Sequence, residues 1–481
     1  MTNFLRRILL LPVVLLVLVA ATATFGSVGA QIDGRRYGMV CDAATDDAAA
    51  LRTALTASST KGHSVFISGS PSGALATCMF LSNVSVPSGT LLRADPGTVV
   101  LKAKRGNVSN PLLLLVTGVS NVTVQGLTID GGGADFGSSN IVNTVYSSAN
   151  VVFDGVTFQH TRGIGVMFSA AIKNSGVRGS TFNDVGNHWK TTSLATDRSQ
   201  AIAFCCGLTQ SNYGNFAIGN SFYDLGLDAI STTEQHNFLA SGNRCDIQNG
   251  QLLATWSYPQ PSNFPGCIYS NRDDSITVVG NVIESASGNG IDLDNTVDRA
   301  VSGNYTNHTG AAGIGVYGSG NAVVTGNTVK NARQLAGWPQ QGGITFSGVL
   351  GKISVAGNVV TDDQGAVSTT CTGTVNSGAT SCTAASIAGM ATNNLIKIAG
   401  AGVASADLTT RLTGFSGTTT IIWQTATSTT VSDPAITGVA TSLYGIYGIA
   451  AGTFTDLKIS PDNALTGNVS APFGGTILRY R

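Results

Sequence analysis

The segment Gly290-Ile291-Asp292-Leu293-Asp294-Asn295 carries two carboxylates two residues apart, flanked by apolar positions. On an extended strand such a pair points to one side, with Cα atoms roughly 6.6 Å apart. Carboxyls about 6.5–9.5 Å apart can protonate a glycosidic oxygen and activate a water, which inverts the sugar carbon. Close carboxylates also raise each other's pKa, which suits one of them to the acid role. A third candidate, Asp228, stands in Leu227-Asp228-Ala229-Ile230, before an isoleucine of the same phrase. The expected catalytic set is Asp228, Asp292 and Asp294. The same Asp-x-Asp could instead hold a calcium ion or form a solvated edge, and no other cofactor or metal is expected.

Aligning the chain on its Gly-Ile phrase puts Ile164, Ile202, Ile230, Ile268, Ile291, Ile314 and Ile344 in one inward column. The residues one and three places later then alternate outward. One outward column reads Gly165, Ala203, Ser231, Tyr269, Asp292, Gly315 and Thr345; the next reads Met167, Cys205, Thr233, Asn271, Asp294, Tyr317 and Ser347. A column two before the isoleucine reads Arg162, Gln200, Asp228, Gly266, Asn289, Ala312 and Gly342. Two long spacings place extra residues just before this strand. The first loop holds His188, Trp189, Lys190 and Arg198, and the second holds Trp256, Tyr258 and Phe264. Aromatic faces pack against pyranose C–H surfaces, so these loops read as walls of a sugar cleft. Tyr269, Asn271, His188, Trp189, Arg198, Trp256 and Arg162 are the expected substrate contacts. His63, His160, His236 and His308 fall in turns and read as surface residues.

The elements that must carry these residues show as a repeat. Gly-Asn recurs at 219, 242, 280, 303, 326, 357 and 467, and Gly126, Gly155 and Gly179 keep only the glycine. Successive glycines lie 29, 24, 40, 23, 38, 23, 23, 31 and 110 residues apart. A period near 23 with insertions at a few turns is the pattern of a solenoid. The intervening segments are short, β-branched and alternating, as half-buried strands are. The predicted fold is all-β: a right-handed parallel β-helix of about ten coils, whose stacked asparagines hydrogen-bond in a ladder.

The opening agrees with that fold. Arg36-Tyr37-Gly38-Met39-Val40, followed by Thr45-Asp46-Asp47 and a run to Leu55, resembles the start of pectate-lyase-like β-helix proteins. Thr45 or Asp46 should cap a helix whose Leu51 and Leu55 plug the open end. Ser64–Ile67 and Thr90–Leu92 should be the first strands. Within that superfamily, Leu227-Asp228-Ala229-Ile230 occupies the place of the polygalacturonase "DDCI" phrase, with Leu for one Asp. The segment 290–295 is similar in placement to the "YGFDPHE" phrase of mannuronan C5-epimerases: Asp292 matches their Asp, and Asp294 stands where their His does. The resemblance implies polysaccharide chemistry: hydrolysis first, with lyase or epimerase action on a uronate polymer as the alternative. A non-catalytic glycan-binding surface protein is the third reading.

Composition sets the remaining bounds. The 481 residues hold 60 glycines and only 11% charged residues, with 26 basic against 26 acidic side chains, so no electrostatic case exists for a nucleic-acid partner. Residues 1–30 read as a signal peptide: Arg6 and Arg7, an apolar run, then small residues before Gln31. Its removal leaves 24 basic and 26 acidic residues, a near-neutral exported chain with no membrane span. The expected location is outside the cell or in the periplasm, and the expected partner is a polysaccharide or oligosaccharide; the oligomeric state is not legible. All eight cysteines follow the cleavage site, an even number suited to disulfides, with Cys371–Cys382 and Cys41–Cys78 the natural pairs. The expected divisions are an N-terminal cap with first coils (31–118), coils (119–370), an inserted Thr/Ala/Gly-rich β module (371–441), and a last coil with its cap (442–481).

Overall fold

The computed structural model describes residues 31–61, 64–103, 114–133, 143–186, 200–205, 212–246, 266–332, 342–362, 368–388, 390, 395–438, 444–448, 453–466 and 471–475. Each sequence repeat is one coil of three short strands. In the coil that carries the aspartate pair these are Ile291–Asp294, Asp298–Ser302 and Tyr305–Thr306, after which Ile314–Tyr317 begins the next coil. Equivalent strands of successive coils pair in parallel, and the chain is a right-handed parallel β-helix. Among the described residues two of its sheets hold 13 strands and the third holds 12, more coils than the Gly-Asn rhythm alone suggests. The extra coils lie at the N-terminal end, where Gln31–Asp33 and Asp42–Asp46 already pair into the sheets ahead of Ser64–Phe66.

Alternation explains the strands. Ile291 and Leu293 are fully buried, while Asp292 and Asp294 between them stay half-buried on the outer face. Inside, like stacks on like. Phe158 and Phe182 lie with ring centroids 4.4 Å apart, and Phe168 and Phe204 at 4.5 Å. Each such buried ring contributes about 1.5–3 kcal/mol.

The turns follow an equally strict rule. Gly219, Gly242, Gly280, Gly303, Gly326 and Gly357 all have φ near +63°, which only glycine adopts without strain. The asparagine that follows each is turned inward. Asn220, Asn243, Asn281, Asn304, Asn327 and Asn358 each donate from Nδ2 to the Oδ1 of the next, at 2.9–3.0 Å. Among the described residues the ladder runs on from Asn358 to Asn463; Asn468 lies outside them.

Asp46 caps helix Ala48–Lys61 by accepting from the N–H of Ala48, and Leu51 and Leu55 are buried against the first coils. Disulfides join Cys41 to Cys78, Cys245 to Cys267 and Cys371 to Cys382. Near the C-terminus, strands between Ser368 and Gly438 form a six-stranded sheet with antiparallel pairings around its own core of Ile396, Ile398, Leu412, Ile421, Trp423 and Ile436. The coil then resumes with Tyr444–Gly448 pairing Gly342–Ser347.

Candidate active site

Ile202, Ile230, Ile268, Ile291, Ile314 and Ile344 pair in one row, so both expected outward columns run in register from Ala203 and Thr233 onward. The first coil departs from the expected alignment. Val166, not Ile164, pairs with Ile202, and Ile164 is half-exposed. The phrase Gly163-Ile164-Gly165-Val166 holds two overlapping copies of the cue. Gly165 is the copy that the packing selects, because a Cβ there would lie 2.7 Å from the Ala201 carbonyl. Met167 therefore joins the Ala203 column, and Arg162 falls four residues before the inward position, two coils from the Asp228 strand. Arg162 leaves the candidate set.

Tyr269 pairs with Asp292, and Asn271 with Asp294, on adjacent strands of one outer face. Asp228 stands at the entry edge of the same sheet, two residues before the strand Ile230–Thr233. Its side chain is 8% exposed, and its Oδ1 accepts from the Gly266 N–H at 2.8 Å. Gly266 makes that approach possible: a Cβ there would meet the Asn289 carbonyl at 2.7 Å and Asp228 Oδ1 at 3.2 Å. Burial pushes the Asp228 carboxyl up to about 7 against that hydrogen bond, and the Asp292 charge adds to the rise.

Asp292 is raised to about 7 as well, chiefly by burial, with the Asn289 hydrogen bond opposing and the Asp294 charge adding. Its Oδ2 accepts from Asn289 Nδ2 at 2.7 Å, while its Oδ1 has no partner among the described residues. The Asn289 amide is aimed by its other end, whose Oδ1 accepts from the Ala312 N–H at 2.9 Å. Asp294 is also raised by burial, but the charges of Arg299 and Arg272 pull it back toward the ionised form. Tyr269 is pushed up to about 12, first by burial and then by the three carboxylates around it. The outer face thus holds two carboxyls raised to about 7 beside a third whose burial two cations oppose.

Three participants were not singled out by sequence reasoning. Asn289 stands in a legible column, yet only the structure shows it orienting Asp292. The ring of Tyr317 folds over Gly315, where any Cβ would collide with it, and Gly315 is the strand neighbour of Asp292. A glycine inside an otherwise filled outward column was the available signal. Arg299 lies on the next sheet and points inward, which an alternating pattern reads as an apolar position.

His188, Trp189, Arg198 and Trp256 lie outside the described residues. Their loops, 187–199 and 247–265, join strands Thr181–Val185 and Arg244–Asp246 to the entry edge of the sheet that carries Asp228. The disulfide Cys245–Cys267 closes the base of the second loop. Among the described residues, the one close group of three His, Cys, Asp or Glu ligand atoms is Cys41, Asp47 and Cys78, and its cysteines are disulfide-bonded.

Fold and site together define a right-handed parallel β-helix with an acid-lined outer face. Residues 208–360 match the family model described as the right handed beta helix region. No curated protein matches the sequence. Among solved structures, the chain is similar to a mannuronan C-5 epimerase A-module of Azotobacter vinelandii (13% identity, 92% of this chain and 97% of that one, TM-score 0.46). It is also similar to a surface adhesin of Streptococcus pneumoniae (14%, 69% and 97%, TM-score 0.47) and to tailspike protein 3 of bacteriophage CBA120 (15%, 69% and 50%, TM-score 0.39). These likenesses concern the fold.

Proposed function

We propose that the chain is an exported polysaccharide-active enzyme, a glycoside hydrolase that works on the open outer face. One observation carries the reading: Asp292, raised to about 7 with an Oδ1 that has no partner among the described residues, stands two residues from Asp294, whose ionised form Arg299 and Arg272 favour. Asp292 would give its proton to the glycosidic oxygen as that bond breaks. Asp294 would take a proton from the water whose oxygen attacks the sugar carbon, and that direct displacement would invert the carbon. The Asp294 charge would help keep Asp292 protonated near neutrality, as the Asp292 charge does for neighbouring Asp228, and Tyr269 and Asn271 would line the sugar. The cysteine pairing and the apolar leader at residues 8–21 support a secreted or periplasmic location.

A second reading, elimination or epimerisation on a uronate polymer, draws support from Arg272. That residue is exposed beside Asp294 and held at φ 57°, a left-handed conformation costly for a long side chain. It could neutralise a uronate carboxylate. Incubation with a panel of neutral and acidic polysaccharides separates the readings. New reducing ends alone support hydrolysis, and ultraviolet absorbance of an unsaturated uronate supports elimination. Binding without any product would overturn both and leave a glycan-binding protein.

A further inference from the structure

Arg299 occupies an inward position on strand Asp298–Ser302, where its register partners are the buried apolar Ile276 and Ala322. It is 2% exposed. Ala322 leaves space for the long side chain, yet an apolar residue would satisfy the packing there more cheaply than a cation. Its Nη2 donates to the carbonyls of Tyr317 at 2.7 Å and Ser319 at 2.6 Å, while Nε and Nη1 have no partner. The Tyr317 carbonyl also accepts from the N–H of Asn295, the residue after Asp294, at 3.0 Å. The guanidinium therefore sits under the turn that leaves Asp294 and clasps the same turn of the next coil.

Those turns are stacked as closely as the backbone permits. At Gly318 and Gly320 a Cβ would collide with the turn of residues 295–297. The charged groups around Arg299 are Asp294 and Asp298, with Arg272 also acting on Asp294. Asp298 is exposed and accepts from Asn321 Nδ2. Asp294 is the half-buried one.

We infer that Arg299 is a positioning residue of the acid-lined face: from inside the coil it supplies the counter-charge of Asp294 and fixes the turn that carries Tyr317. Such a residue need not touch substrate. It opposes the burial that raises Asp294, whereas among the described residues no cation opposes the burial of Asp228 and Asp292, a separation of environments on which the proposed acid–base pair rests.

The test needs no substrate, so its failure is distinct from failure of the hydrolase reading. In the full chain with ¹³C-labelled aspartate carboxyls, the Asp294 signal is assigned by its loss in Asp294→Asn, and each variant is titrated. In Arg299→Met the proton affinity of Asp294 should rise about tenfold, one pKa unit, and Arg299→Lys should restore most of the parent value. An unchanged Asp294 midpoint in a folded Arg299→Met protein would overturn the inference. If Arg299→Met does not fold, adding Asp294→Asn should rescue it by removing the half-buried carboxylate left without its cation. A double variant that stays unfolded would overturn the inference equally.

Discussion

Asp228 and Asp292 owe their high proton affinity first to burial at the edge and on the outer face of one sheet, with the charge of Asp292 adding a smaller share for Asp228 and that of Asp294 for Asp292. The sign for stability follows. In the unfolded chain both ionise near 3.8, whereas folded they hold their protons to about 7, so folding takes up protons between those values and stability falls as pH rises through that window. Carboxyls such as Asp130, held low by His160 and Gln159 against the burial that raises it, slope the opposite way, so the comparison is between proteins. Asp228→Asn combined with Asp292→Asn should gain Tm relative to the parent as pH increases from 4 to 7; calorimetry showing a pH-independent difference would contradict the assignment. At this scale the sequence was informative wherever alternation alone decides orientation, as for Tyr269, Asn271, Asp292 and Asp294. It misplaced Arg162 because two Gly-apolar cues overlap. It was silent on Arg299 because alternation says which way a side chain points, not which charge it meets.

The coil is held by its corners as much as by its strands. The asparagine ladder gives each buried amide a partner above and below, and removing the Asn281 rung strands two donors of Asn243, its backbone N–H and an Nδ2 proton, in a dry interior. Asn281→Ala should therefore cost about 2–6 kcal/mol, one to three for each stranded group, read from urea unfolding, whereas the same change at Asn183, exposed on strand Thr181–Val185, should cost little. The other corner is where length varies. The loops 187–199 and 247–265 and the sheet module of 368–438 all leave from the third strand of a coil and return to the sheet that carries the acidic face. Cys245–Cys267, a pairing that spacing left open, closes the second loop, and replacing both cysteines by Ala should lower stability by about 3 kcal/mol through the freed unfolded chain. Equal urea midpoints with and without the bridge would sink that view. The Gly-Asn period made the coils visible, but the first coils escaped it because their turns use other residues.

For the whole molecule, a solenoid sums nearest-neighbour contacts, so a unit with its own core can be removed without unravelling the stack. The module around Trp423 has such a core, distinct from the one that runs the length of the coils. Replacing residues 363–441 by a short Gly/Ser turn should leave the far-ultraviolet β signal and cooperative unfolding in place; loss of both would mean that the module completes the coil. The long parallel stack also explains why fold was more legible than activity: repetition writes the coil many times, whereas the acidic face is written once, on three adjacent strands of the third sheet. The central claim is that this face performs acid–base chemistry, and Asp292→Asn tests it most directly. The change removes one ionisable group at nearly constant volume. On whichever polysaccharide the parent converts, turnover should drop by about 10²–10⁴-fold, with Tm at neutral pH equal to or above that of the parent. A folded Asp292→Asn protein that retains full turnover would contradict the account.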